Sequence, residues 1–305
     1  MKKYNEDIKN RFMEYIDLSK YPPKWWDYVF DKSSVFEEMY GRDLYDFSTS
    51  NIIEFLKYLE LGNINSLVVY KINLGKYAEW AVSQNLVADN QIHFNEITME
   101  LLNSCISRAR IDNAILSYNT IRNIHFVNSR DAFIFWSLFE GIKGKDFEEI
   151  INLKIEDIDE TAQTVRLCTG RVIPVSDRFI YICKAANVEE TYIGLNDKGY
   201  VVNLKPSEYI YKERDNSRGI NKARGVYKTI IRNMEYLKDL NKGITAKSIR
   251  DSGLIYYLNK RADEYNITVN ELLHDPPKCQ DIIDKYNFNI LTRVRWMMMY
   301  EDYLH

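Results

Sequence analysis

The first sign of chemistry in this chain is a crowding of cations: residues 205–250 hold 12 lysines and arginines against 5 acids. That segment carries +7 while the whole chain carries −3, which leaves −10 for the remainder. Concentrated positive charge suits a polyanion, because it neutralises phosphates whatever they are attached to. A long helix expected over Asn221–Leu240 sorts these cations further. Arg224, Lys228 and Arg232 recur every four residues and share one face, while Lys222 lies some way round from it and Arg218 precedes the helix. A merely solvated face is the other use of such a run. The four cysteines (Cys105, Cys168, Cys183, Cys279) lack C-x-x-C spacing, so neither disulfides nor a zinc site are expected, and no metal or cofactor is implied.

These residues need elements to hold them. The chain has 305 residues, about twice the usual domain size, so two domains are the default. An apolar share of 46%, with only 12 glycines and 6 prolines, points to packed helical domains rather than disorder. The opening MKKYNEDIKNRF contains no apolar h-region and no long apolar run follows, so neither a secretory signal nor a membrane span is expected, and a cytoplasmic protein is. Residues 1–45 read as an N-terminal helical extension, in which Trp25-Trp26 after Pro22-Pro23 packs a helix start onto a domain body. Residues 46–124 read as a strand-free helical unit. Ser48-Thr49-Ser50-Asn51 with Glu54 offers a capping box, Gly62-Asn63 stops that helix, and Ser66 caps the next. Further helices are expected over Asn95–Ser107 and Asp112–Ile121.

The pattern changes from residue 125 to 305. Asp131–Gly141 reads as a buried helix and Asp146–Leu153 as a short amphipathic one. Two strands, Thr164–Leu167 and Arg171–Val175, turn at Thr169-Gly170. Ser176 caps another helix, Ile244-Thr245 opens one after the basic stretch, and helices continue to His305. The fold class expected is mainly α with a small β-hairpin or sheet.

Three segments in this half resemble, in order and spacing, the tyrosine recombinase (phage integrase) family. Gly144–Asp159 resembles the family's G-L-R-x-S-E-L-x-x-L-x-W-x-D-I-D segment, Val172-Ile173-Pro174-Val175 its R-x-V-P-L strand, and Ile244–Gly253 its I-T-P-H-x-L-R-H-T box. The helical unit upstream, with Phe55-Leu56-Lys57-Tyr58-Leu59, is similar to the family's core-binding domain, and the second half to its α+β catalytic domain. The resemblance covers about residues 45–290. It implies a site where two arginines, a lysine and one or two histidines surround a phosphate while a tyrosine attacks it. Fixed cations stabilise the charge of a phosphorane as it develops, and the tyrosine holds the strand covalently until religation.

Carried over residue by residue, the constellation is incomplete. The first arginine falls on Asp146 without a gap, or on Lys143 if two residues are inserted, and a lysine lacks the arginine fork. The hairpin turn has no lysine, only Arg166 and Arg171 nearby. Lys247 stands where the box has histidine, which removes an acid/base near neutral pH. Arg250 holds the second arginine position, His274 follows 24 residues on, and Tyr286 a further 12.

The resemblance thus implies phosphate recognition without strand transfer, most like family members that silence a temperate phage by binding operator DNA. The expected function is sequence-specific binding of double-stranded DNA as a prophage repressor in the host cytoplasm. Arg250, Lys247, Arg224, Lys228, Lys222, Arg218, Arg232, Arg171 and His274 are the candidate contacts, and Asp146, Lys247, Arg250, His274 and Tyr286 the vestigial catalytic positions. Self-association through the apolar tail Trp296–Tyr300 is a further expectation, packing on its own chain the simpler one. Two other readings stay open: an active recombinase using Lys143, Lys247 and Tyr286 as nucleophile, and a regulator acting through protein contacts.

Overall fold

The computed structural model describes residues 3–16, 23–90, 92–195, 199–216, 221–237 and 243–305, the Ile290 side chain excepted. Two compact units divide the chain, residues 1–110 and 111–305. The first contains α1 (Glu6–Tyr15), α2 (Pro23–Tyr40), α3 (Thr49–Tyr58), α4 (Ile64–Ser83) and α5 (Met99–Asn103), with α6 (Arg108–Asp112) at the division. Residues 1–45 are part of this core rather than an extension to it. Phe12 of α1 meets Trp26 of α2 at 4.8 Å and Tyr77 of α4 at 4.7 Å, edge to face, and all three are buried. Beneath them Lys9 pairs with Glu37 at 2.7 Å, both wholly buried, while Tyr77 donates to Asp43 at 2.9 Å. Such a pair fixes α1 on α2, because either charge left alone in the core would be costly.

Capping chemistry sets the helix starts, with shifts from the sequence expectation. Ser48 boxes with Asn51, not Glu54, whose carboxylate instead accepts from Tyr40. Asn63 rather than Ser66 caps α4. Residues 95–107 do not form one helix, because Thr98 caps a new start and only α5 follows. Likewise 112–121 is broken: Ser117 caps α7 (Tyr118–Arg122). Leu116 and Ile121 join the second core, which places the division before 124.

The second unit is built around α8 (Ser129–Phe139), in which every residue from Arg130 to Phe139 is buried. α9 (Glu148–Ile151) leads to a three-stranded antiparallel sheet of β1 (Ile158–Asp159), β2 (Thr164–Arg166) and β3 (Val172–Pro174), in that order. Val165 pairs with Ile173, and both face the core. Gly170, at φ 86°, makes the turn. α10 (Asp177–Val188) packs on α8 and is followed by a hairpin, β4 (Thr191–Ile193) and β5 (Val201–Asn203), which the sequence reading lacked. Then come α11 (Lys222–Tyr236), α12 (Ala246–Tyr265), α13 (Val269–Leu273), α14 (Pro276–Tyr286) and α15 (Arg293–Tyr300). α11 and α12 also pack on α8. At Gly253 the backbones of α12 and α8 touch: a Cβ there would lie 1.8 Å from the Phe139 carbonyl oxygen.

The apolar tail is docked on its own unit. Trp296 and Tyr300 are buried, Tyr300 donates to Asp251 at 2.7 Å, and the His305 carbonyl accepts from the Val269 N–H at 2.9 Å. No helix among the described residues is long and apolar enough to cross a membrane.

Candidate functional site

The turn between α8 and α9 decides which side chains reach the candidate site. Gly144 (φ 66°), Asp146 (φ 50°) and Phe147 (φ 63°) all take left-handed backbone, at a cost of about 1–2 kcal/mol for each non-glycine residue. This coil throws Asp146 into solvent and keeps Lys143, before it, on the protein side. A cleft of about 340 Å³ results, lined by Lys143, Lys145, Thr169, Arg171, Arg250 and Asn287 among others, and Asp146 is not part of it. The ungapped alignment, which sets Asp146 at the first arginine position, thus names a residue outside this cleft. Lys143 is the residue that shares the cleft with Arg250.

Arg250 is half-buried on the first turns of α12, and its Nε has no hydrogen-bond partner among the described residues. Burial lowers its pKa although the neighbouring Asp251 opposes the shift. A desolvated cation with an unmet N–H is a group that an anion would stabilise. Lys143 and Lys145 form no ion pair among the described residues, so three cations open on the cleft.

Arg171 lines the same cleft but its donors are engaged. It grips Glu149 at 2.9 and 2.7 Å and donates to the carbonyls of Asp284 and Lys285, both at 2.9 Å. Glu149 also accepts from the Thr169 hydroxyl at 2.6 Å and from the Lys143 N–H at 2.9 Å. Burial alone would raise the Glu149 pKa, yet these hydrogen bonds, Arg171 foremost, hold it below 4.5. Arg171 is thus a clasp between the β2–β3 turn and the end of α14, which changes its expected role as a phosphate contact.

The remaining sequence-derived positions scatter. Lys247 is largely exposed and ion-paired to Asp251, away from the Arg250 cleft lining. His274 is exposed at the end of α13, where its Nδ1 meets the Asn270 carbonyl at 2.7 Å, and it lines a different cleft with Arg293 and Met297. Tyr286 is wholly buried: its hydroxyl donates to the Phe139 carbonyl and burial pushes its pKa well above 10. Its hydroxyl is not part of the cleft lining, and Asn287 is the residue that faces the cleft there. Arg218 falls outside the described residues.

The basic helix α11 presents a second cleft. Lys222, Lys228 and Arg232 line it together with Arg130, Tyr211 and Arg214. Arg224 is exposed but not part of that lining, so Lys222, not Arg224, keeps company with 228 and 232. Sequence reasoning also missed a buried network at the end of α8. Glu140 takes Lys285 and, at 2.8 Å, Tyr257, and it accepts from Ser176 at 2.5 Å. An acid ending so apolar a helix was the available signal.

Comparison with known proteins gives this arrangement its class. Residues 2–84 match the family described as MrpR, N-terminal core-binding domain, and residues 115–304 that described as MrpR, C-terminal catalytic domain. Among solved structures, XerA recombinase aligns at 12% identity with a TM-score of 0.40, covering 95% of this chain and 92% of that one. The integrase from mycobacterium phage Brujita aligns at 14% identity with a TM-score of 0.30, covering 93% and 94%. The class is that of an MrpR-type core-binding domain followed by an MrpR-type C-terminal catalytic domain. The chain belongs to the MrpR family. The SPbeta prophage-derived uncharacterized protein YopR of Bacillus subtilis (strain 168) is 22% identical over 99% of this chain and 94% of its own length.

Proposed function

We propose that this protein binds duplex DNA sequence-specifically and represses a prophage, on a recombinase scaffold that no longer transfers strands. The observation that carries the reading is the composition of the Arg250 cleft. Arg250, Lys143 and Lys145 offer positive charge to a phosphate, whereas Arg171 is engaged by Glu149 and Tyr286 is enclosed in the core. Phosphate contacts alone supply affinity and register, while transesterification needs every cation and the nucleophile in place. Kinship with a prophage-derived protein supports the setting. Base-edge readout falls to side chains of α11, whose exposed Arg224 and Lys228 suit a groove or backbone contact.

The test pairs two assays on the full chain. A mobility shift on phage genomic fragments, at low and moderate salt, is expected to retard selected fragments; no retardation overturns DNA binding. A nicked suicide substrate is expected to give no covalent adduct. An adduct abolished by Tyr286→Phe would establish an active recombinase in its place, with Lys143 as substitute for the first arginine.

A further inference from the structure

The cleft against α11 has features that the Arg250 cleft does not share. Arg130, Arg214, Lys222, Lys228 and Arg232 converge on it with Tyr211. Among the described residues Glu213 is the one acid in its lining, and Asp131 lies behind it, ion-paired with Arg130 Nη1 at 3.4 Å and bonded to Tyr192 and Asn233 at 3.0 and 2.9 Å. Five cations against two acids leave an excess of three positive charges. Among the described residues none of Arg214, Lys222, Lys228 and Arg232 forms an ion pair.

The floor of the cleft is built rather than incidental. Arg130 is only 4% exposed, yet its Nε has no partner among the described residues. Its guanidinium stacks on Tyr211 at 4.6 Å and on Tyr192 at 5.4 Å, which fixes its plane. Nη2 donates to the Tyr211 hydroxyl at 2.9 Å, and among the described residues that hydroxyl has no acceptor for its own proton. Arg214 lies over the Tyr192 ring at 5.0 Å. Gly225 of α11 leaves space for this group, since a Cβ there would stand 2.7 Å from the Tyr211 oxygen. A buried cation with an unmet N–H, beside a buried hydroxyl with a proton to give, is costly unless an anion answers both.

We infer that this cleft is a seat for one phosphate group, held by Arg130 and Tyr211 from below and by Arg214, Lys228 and Arg232 at the rim. Its open space of about 40 Å³ sets the size. A water needs roughly 10–15 Å³ by the same measure, so the seat takes a single tetrahedral oxyanion and excludes a nucleoside. Planar guanidinium groups match phosphate oxygens in pairs, which favours phosphate over a monovalent halide. The phosphate comes either from the DNA backbone or from a free phosphate or small phosphate ester. The inference does not depend on DNA binding.

Thermal unfolding of the full chain in inorganic phosphate, against chloride at matched ionic strength, tests it. Phosphate stabilises proteins generally by exclusion from their surface, a rise that does not saturate and that variants share. A seat adds a saturable rise that changes at the seat weaken. The double variant Lys228→Gln/Arg232→Gln, altered at the rim, is expected to weaken phosphate on the order of tenfold, discounted for exposure. Gly225→Ala, which changes no charge but crowds Tyr211, is expected to weaken it as well, while Lys184→Gln on α10 leaves it unchanged. An unsaturating rise equal in wild type and variants overturns the seat. Saturation in the wild type and in Lys184→Gln, weakened in the double variant and in Gly225→Ala, supports it, and a duplex-binding assay then assigns the source. Phosphate that displaces a short duplex from the wild type but not from the double variant marks a DNA backbone contact. Phosphate that saturates without displacing the duplex marks a free phosphate or phosphate ester. Failure of the seat leaves the mobility-shift result standing, so the two readings fail separately.

Discussion

Around Arg250, Arg171 gives its guanidinium to Glu149 and two carbonyls, so a cation that lines the cleft is not available to it. Around Arg130, five cations face one acid and four of them form no ion pair among the described residues. The two clefts belong to one unit and were both marked by basic residues in the sequence. They differ in what each charge is already bonded to. Positive charge in a sequence is a sum, while affinity for a phosphate depends on the donors left over after folding.

The sharpest way to break that contrast is to remove a cation that serves the frame alone. Lys285→Met strips the buried Glu140 of its partner and is expected to cost about 3–5 kcal/mol in urea unfolding. A loss below about 1 kcal/mol would mean that buried cations here are replaceable, and the contrast would fall.

Next in size is the clasp. Glu149 has its pKa held below 4.5 in the fold. Its contribution is therefore full above its unfolded pKa and is lost as pH falls through the lower folded value. Glu149→Gln is expected to cost about 2 kcal/mol at neutral pH. The gap to wild type should narrow as pH falls below about 4.5. A gap independent of pH from 3 to 7, on the order of four decades in proton activity, would show that Arg171 is not held by this carboxylate.

The smallest effects separate the clefts directly. Arg250→Gln should weaken duplex binding by about 1–2 kcal/mol while leaving stability within about 0.5 kcal/mol. Arg224→Gln and Lys228→Gln should each flatten the plot of log K against log salt by roughly one unit if they touch phosphates. An unchanged slope removes them from the interface.

Much of the frame was legible beforehand. The unbroken apolar run announced α8, Thr245 announced the start of α12, and Gly170 the hairpin turn. What escaped depended on partners distant in sequence. Tyr192 and Val201 have the residue types of strands, but too few neighbours to reveal pairing across the segment between them. Residues 1–45 looked like an appendage because Phe12 and Asp43 find a shared partner, Tyr77, only on α4, outside that stretch. At the site, Arg250 was readable from its box, but the choice between Lys143 and Asp146 was not. It turns on two successive left-handed residues, and neither Asp146 nor Phe147 advertises that conformation as glycine would.

The backbone contact at Gly253 has a consequence for Arg250, which stands less than one turn earlier on α12. Where two helices meet without side chains between them, neither can slide or roll without collision, so the base of Arg250 is held as firmly as the core itself. Under the proposed function, a phosphate would meet an Arg250 whose backbone anchor is already ordered when the chain folds, so that only side-chain freedom is left to lose on binding.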